Sequence, residues 1–455
     1  MSKKISRDFT KGSIPKQLLG FMIPFMLSNA MQVLYSAIDM MIVGNYVGTA
    51  GLSAVSQSSL IINFAVMVCF GVSNAGQVLV SQALGSGKRD RLNSIIGTLF
   101  SMLIILALVF TVVFTSLRNT ILTLVNVPVE SFSDAVTYLV ICSFGLVFTA
   151  GYNMISAVLR GMGDSKRPML FILIATVINL VLDIVFTGFW GWGVAGAAWA
   201  TIIGQAVAFL FACFYLYRSK EAFGFDFKPK SFRINKNYAG MIVAQGTPMA
   251  IQSACINLSM LYVTSSINSI DVVASATFGV GTRIDDIINK ISQGIQFATM
   301  PMVSQNIGAG KQERAKHVVY WAWTYSFGLT AIFMILYLFF GKFMFGLFSD
   351  DVQVLNMSGI FISAILWMFP AFSIMRGSGA FISGIGHAKL CMVLAMMDGI
   401  VLRIGLSWFF GSLLNWGFYG YVLGYALAPY GYAIPSMLYF LSGVWRKRRA
   451  LAEDL

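Results

Sequence analysis

Apolar stretches long enough to cross a bilayer recur from one end of this chain to the other, a helix needing about 20 such residues to span the hydrocarbon. Of the 455 residues, 57% are hydrophobic and only 11% are charged. Lipid offers no water to the backbone, so only helices and closed barrels cross it, and barrel strands alternate apolar with polar residues. Runs such as Ile95 to Phe114 do not alternate. The chain is therefore read as an all-α integral membrane protein.

Glycine, proline and charge punctuate twelve spans, at about 15–44, 52–84, 93–117, 132–160, 168–190, 194–217, 238–267, 272–306, 316–340, 352–383, 388–411 and 417–444. The first stretch contains Pro24 and Asp39 and lacks a small-residue cleavage signature followed by a soluble domain, so it reads as a retained helix and not a signal peptide. Cys69, Cys142, Cys213, Cys255 and Cys391 each sit inside an apolar run without CxxC spacing. They read as packing thiols, not as disulfides or zinc ligands.

The formal charge of +13 has a side. Alternate loops collect Lys3, Lys4, Arg7, Lys11 and Lys16; Lys88, Arg89 and Arg91; Lys166 and Arg167; Arg218 to Lys236; Lys311, Arg314 and Lys316; Lys389; and Arg446 to Arg449. The opposite loops hold little beyond Arg118 and Lys342. The positive-inside rule then puts both termini in the cytoplasm of a multi-pass protein of the cytoplasmic (inner) cell membrane. The basic tail reads as an anchor at anionic lipid, and no nucleic-acid partner is expected.

An internal repeat is the most informative pattern. Val80-Ser81-Gln82-Ala83-Leu84-Gly85-Ser86-Gly87-Lys88, with Arg91, returns 223 residues later as Val303-Ser304-Gln305-Asn306-Ile307-Gly308-Ala309-Gly310-Lys311, with Arg314. At the same offset Ala157, Gly161, Gly163 and Lys166 match Ala380, Gly384, Gly386 and Lys389, and Pro24 matches Pro248 within one residue. Six spans per half is an even number, so the halves enter the membrane in the same orientation. Two parallel-repeat six-helix bundles around a central cavity follow: an N-terminal bundle at 1–217, a cytoplasmic linker at 218–237 and a C-terminal bundle with a basic tail at 238–455. Duplicated twelve-span bundles are mostly carriers, and a monomer is expected.

The early helix with Pro24 and Asp39, the paired SQxxGxGK loops and the LRGMGDSKRP loop after the fourth span make nearly the whole chain resemble the MATE (multidrug and toxic compound extrusion) family. Acidic residues in the first and fifth spans resemble its DinF-like branch. The carboxylates that a NorM-like pattern has in the seventh and tenth spans are replaced here by Gln245, Gln252, Asn257 and Arg376.

A charge in hydrocarbon costs roughly 2.5–3.5 kcal/mol on insertion scales and so marks function. Tyr35 with Asp39, and Asn179 with Asp183, are spaced four apart and share a helical face. Thr201 and Asn153 add oxygens from neighbouring spans, giving a pocket without lysine or arginine that suits a hard cation or a proton. The resemblance implies the same set: Asp39, Asn153, Asn179, Asp183 and Thr201 match the family's N-terminal cation or proton site, where a Na⁺ at Asp39 and Asp183 is one option. It also implies that Pro24 is a hinge whose bend changes when those acids take up a cation.

The second half differs. The repeat mate of Asn153 is Arg376, and Arg403 falls near the place of Asp183, so coupling is expected in the N-terminal half alone. Arg283, Asp286 and Lys290 are spaced to pair along one face of the eighth span, with Asp285 beside them. Arg283, Asp286, Asp398 and Arg376 could line a substrate cavity. Asp398 and Arg403 are five apart, which does not stack cleanly on one face of an α-helix; Asp398 reads as a buried partner for an arginine, with a substrate contact as the alternative.

These features point to a secondary active multidrug efflux antiporter, not an enzyme, exporting lipophilic or cationic drugs in exchange for H⁺ or Na⁺ and needing no other cofactor. Twenty-five methionines and 38 phenylalanines supply adaptable apolar walls for drug-like partners. A flippase for lipid-linked oligosaccharide or peptidoglycan precursors is the alternative, kept open by Arg283, Lys290, Arg376 and Arg403. An intramembrane enzyme would need a nucleophile and base at depth, and both histidines, His317 and His387, fall at loops.

Overall fold

Residues rich in leucine, isoleucine and phenylalanine satisfy their backbone internally as helices. The computed structural model describes residues 7–447 and 450–453, so Lys3, Lys4, Arg448 and Arg449 of the basic termini lie outside it. Twelve membrane helices follow one another, and no strand occurs among the described residues. Spans one and two form a single run, Ile14–Gly85, broken at Gly48. Its φ of 86° lies in the region that glycine alone enters without steric cost. Span three is Leu92–Ser116 and span four Val129–Gly161. Span five is Lys166–Asp183, prolonged by the π-helix Ile184–Phe189, and span six is Gly193–Arg218.

The second half opens with Lys236–Asn268 and Val272–Gly308, less apolar because they carry Gln245, Gln252, Arg283, Asp285, Asp286 and Lys290. Span nine is Gln312–Gly346. Span ten is Val352–Ile365 joined to Met368–Gly384 at a 47° bend. Span eleven begins as Ala388–Met396 and continues through π-helices Met397–Ile404 and Trp408–Leu413. Gly417–Leu427 and Tyr430–Ser442 make span twelve.

The repeat is visible as repeated bonds. Ser81 Oγ donates to the Gly161 carbonyl at 3.1 Å, and its mate Ser304 donates to the Gly384 carbonyl at 2.9 Å. Each serine of the SQxxGxGK motif thus pins the end of its span to the loop that closes two spans later. A Cβ on Gly161 would sit 3.0 Å from the Gln77 carbonyl, and one on Gly384 would sit 2.9 Å from that of Met300. Close helix packing therefore requires glycine at both crossings. The offset is 223 at these crossings but 224 between the π-helices Ile184–Phe189 and Trp408–Leu413. A π-turn accommodates one residue more than an α-turn, and Met397–Ile404 is such a turn in span eleven where span five is α-helical.

Two compact units divide at the prolines. One contains Leu27–Thr247; the other contains Phe9–Met26 together with Pro248 onward. The expected halves 1–217 and 238–455 therefore trade their leading segments: the start of span one packs in the second unit, and residues 218–247 stay in the first. In the second unit Phe9 is fully buried in a cluster with Leu18, Phe21, Phe25, Met302 and Val303, its ring 5.0 Å from that of Phe21. The second SQxxGxGK loop clasps this strap. Phe9 N donates to Gln305 Oε1 at 3.1 Å. The Phe9 carbonyl accepts from Asn306 Nδ2 at 3.2 Å and Arg314 Nε at 2.9 Å, and Lys311 Nζ donates to the Thr10 carbonyl at 2.9 Å.

The expected linker 218–237 is likewise docked, on span three of the first unit. Ser101 Oγ donates to the Phe232 carbonyl at 2.6 Å, and Asn235 N donates to Thr98 Oγ1 at 3.1 Å. Phe225 is 2% exposed beneath it. The Ser231 hydroxyl and the Lys228 amide both donate to the Asp226 carboxylate and hold it below its usual range. A depressed carboxylate stabilises the fold above its unfolded pKa of about 3.9, and that contribution is lost as the pH falls through the lower folded value. The hydrophilic composition that marks a linker thus hides an aromatic anchor.

Two outcomes test these dockings. A Cβ on Gly97 would lie 1.8 Å from the Ser231 carbonyl oxygen, so Gly97→Ala is expected to lift the linker, losing about 1–3 kcal/mol. A lower melting temperature in detergent with faster tryptic cleavage after Lys230 would show it. Arg314→Ala removes donors to Phe9, Lys11 and Gln17. It is expected to speed tryptic cleavage after Lys11 and Lys16, read by N-terminal sequencing of the fragments, while cleavage after Lys230 stays at the wild-type rate.

Candidate functional site

The first unit gathers its polar membrane groups near one end of span five. Asp183 is the last residue of the α-helical part of that span and is 1% exposed. The π-helix beyond it leads to Phe189, Trp190 and Trp192, all exposed, as aromatic residues are at a membrane surface. Six residues at 1.5 Å place Asp183 roughly 9 Å inside that aromatic end. Asp39 lies nine residues before the Gly48 break and is partly buried.

The two carboxyl groups face each other within hydrogen-bonding reach. As carboxylates they have no donor between them, and Asp39 Oδ1 and both oxygens of Asp183 are buried without a partner. One added proton lets one carboxyl donate to the other. No lysine or arginine is among the groups acting on either acid in the described residues. Two like charges in a low-dielectric interior repel strongly, so the pair favours holding a proton or a cation between them.

Tyr35, one turn before Asp39, is hydrogen-bonded to Thr201 and lies in the field of both aspartates. Asn179, one turn before Asp183, is 3% exposed, and both its amide atoms are unpartnered. Gly204 faces it, and a Cβ there would come within 2.9 Å of Asn179 Cβ. Tyr35, Asp39, Asp183 and Thr201 are thus brought together, with Asn179 adjacent on the helix. Asn153 is half-buried on span four and is not among the groups that these contacts join.

Tyr138 and Cys142 belong here too and were not anticipated. They are four apart on span four, as Tyr35 and Asp39 are on span one. Both are buried and both feel Asp39. The signal was the repeated four-residue spacing behind a tyrosine. It was masked because tyrosine and cysteine also serve as plain packing, as they do in the cluster with Val43, Val55 and Val194.

The expected cavity residues of the second unit are engaged by other groups of that unit. Arg376 is buried, donating to Gln296 Oε1 at 2.9 Å and to Asn289 Oδ1, with its guanidinium 5.4 Å from the Phe372 ring. Arg283, Asp286 and Lys290 share the exposed face of span eight, and both basic groups act on Asp286. Asp398 is bonded to Arg403 at 2.9 Å, both buried. The five-residue spacing that fails on an α-helix stacks here because Met397–Ile404 is π-helical. At the offset of 224 that follows the extra residue, Arg403 is in register with Asn179, and Asp183 with Ser407. Pro24 lies inside a continuous helix, two residues before the change of unit at Met26.

The MatE family profile matches residues 24–185 and again residues 248–409, each match beginning on one of the paired prolines. The chain belongs to the MatE family. Its membership makes it a multi-pass membrane transporter and not an enzyme. The "Probable multidrug resistance protein YpnP" of Bacillus subtilis is 30% identical over 98% of this chain and 99% of its own length. An "FAD transporter" of Shewanella oneidensis is 29% identical over 45% of this chain and 46% of its own. Among solved structures, the outward-facing conformation of a multidrug resistance MATE family transporter of the MOP superfamily superposes with a TM-score of 0.91. It is 20% identical and covers 99% of this chain and 100% of that one. Such a likeness carries the MatE fold, while the site rests on the residues above.

If Asn179 serves an exchangeable occupant and not helix adhesion, its removal will not weaken the fold. Asn179→Leu replaces two unpartnered buried polar atoms with apolar ones of similar volume. The melting temperature in detergent is expected to stay or rise while transport falls. A melting temperature lowered by several degrees would make Asn179 a packing residue.

Proposed function

We propose that this MatE transporter is a proton-coupled multidrug exporter whose coupling site is the Asp39 and Asp183 pair, served by Tyr35, Asn179 and Thr201. The observation that carries the reading is the pair itself: two facing, buried carboxyl groups with no cation beside them. Loading one proton makes a hydrogen bond where there was repulsion, so occupancy and local structure change together. Span one carries Asp39 and, fifteen residues earlier, Pro24, where the missing backbone bond lets the helix bend. Proton uptake thus acts on the helix that carries the hinge. The similarity to YpnP supports drug-like, lipophilic or cationic cargo.

Sodium is the second reading, favoured by the unpartnered Asn179 Oδ1 and the Tyr35 and Thr201 oxygens that could join two carboxylates around a hard cation. A flippase for lipid-linked precursors draws on Arg283, Lys290, Arg376 and Arg403, but Arg376 and Arg403 are engaged with Asn289, Gln296 and Asp398 inside their own unit.

Proteoliposomes loaded with ethidium, with proton and sodium gradients imposed separately, test the reading. Efflux is expected to follow the proton gradient alone, and Asp39→Asn and Asp183→Asn each to reduce it to the level of empty liposomes at unchanged protein insertion. Efflux following sodium alone would select the second reading. Wild-type efflux in both variants would refute the site.

A further inference from the structure

The second unit buries a carboxyl group that the proposed coupling site does not use. Asp285, on span eight, is 4% exposed. Its Oδ1 accepts from Tyr337 Oη of span nine at 2.7 Å, and its Oδ2 has no partner. Its neighbours on the helix, Arg283, Asp286 and Lys290, lie on the exposed face, where both basic groups act on Asp286, and the Asp286 carboxylate acts on Asp285 in turn.

The charged groups of the packed elements are already committed. Arg403 of span eleven is bonded to Asp398 at 2.9 Å, and its guanidinium lies 5.3 Å from the Tyr425 ring of span twelve. Tyr425 in turn lies in the field of Asp285, Arg403, Asp286 and Asp398. Span ten brings Arg376, held by Asn289 and Gln296, and its first part, Val352–Ile365, has no titratable residue.

Neither protonation state of Asp285 is fully satisfied. Ionised, it is a buried charge with one neutral donor, since the nearby arginine is neutralised by its own aspartate. Protonated on Oδ2, it carries a hydroxyl with no acceptor. A site in which both states lack something favours neither strongly, which is the condition for exchange. The scaffold does not demand the pair either. In the repeat, 223 residues earlier, the positions of Asp285 and Tyr337 hold Ile62 and Phe114. Ile62 packs there against Val55, Tyr138 and Cys142.

We propose that Asp285, hydrogen-bonded to Tyr337 inside the second unit, is a second proton-binding site of this transporter, loaded separately from the Asp39 and Asp183 pair. The occupant is a proton and not a metal cation, because the Arg403 guanidinium shares the cluster and Tyr337 offers the carboxyl a donor. The inference rests on the second unit's own geometry and stands whether or not the first unit couples transport.

Infrared difference spectroscopy of the full-length protein in liposomes, stepped from acid to alkaline pH, reads each protonated carboxyl as a carbonyl-stretch band. A band lost on the alkaline step is expected in wild type, to persist in the Asp39→Asn/Asp183→Asn double variant, and to be lost from that double variant when Asp285→Asn is added. Tyr337→Phe, which keeps the acid, is expected to shift that band to higher frequency because the carbonyl loses its hydrogen bond. A double variant without a pH-dependent carboxyl band, or a Tyr337→Phe band superimposable on wild type, would overturn the proposal. Because no transport is measured, failure here is separate from failure of the coupling reading.

Discussion

Carboxyl groups in hydrocarbon with no basic residue beside them are the constraint around which the first unit is arranged. A single buried aspartate could be neutralised by a lysine or arginine, as Asp398 is by Arg403, and would then be a fixed structural pair. Asp39 and Asp183 have only each other, with Tyr35, Thr201 and Asn179 nearby. Repulsion and desolvation act together on such a pair, and both are relieved by one small cation.

The duplicated scaffold explains where the two halves may differ and where they must agree. Agreement is enforced at the crossings, where Ser81 meets Gly161 and Ser304 meets Gly384, because a backbone carbonyl lies within 3.0 Å of the position a side chain would take. Divergence is free inside the bundles. One extra residue in the π-turn Met397–Ile404 places Arg403 where the first half has Asn179, and Tyr425 where it has Thr201. The counterpart of the Asp39 and Asp183 pocket thus carries an arginine already paired with Asp398, while the glycine-lined crossings keep their offset of 223.

Much of this was legible in the residues. Helix period and apolar length fix the spans to within a few positions, and the SQxxGxGK repeat fixes the duplication, because both depend on local sequence alone. The acids of spans one and five were legible because their cost in lipid sets them apart. Tyr138 and Cys142 were not, since nothing in their chemistry separates a site wall from packing. An arginine partner for the buried Asp398 was legible, but not how Arg403 reaches it from five residues away: a π-turn is a backbone state that sequence spacing read at 3.6 residues per turn cannot show. The docked linker was obscured by its charges, although Phe225 and Phe232, apolar residues in a hydrophilic stretch, were the signal.

The partition of the units at Met26 and Thr247 follows from proline chemistry. A proline inside a helix removes one backbone bond and crowds the carbonyl four residues earlier, so the turn preceding it is held less firmly to the rest. Pro24 and Pro248 supply such a turn at matched places, and at each the chain passes from one compact unit to the other within a residue or two. Before Pro24 the helix is fixed by the Phe9 strap and the second SQxxGxGK loop; after it the same helix carries Asp39. The carboxyl pair therefore draws Asp39 from a helix whose start packs in the second unit, with Pro24 between the two.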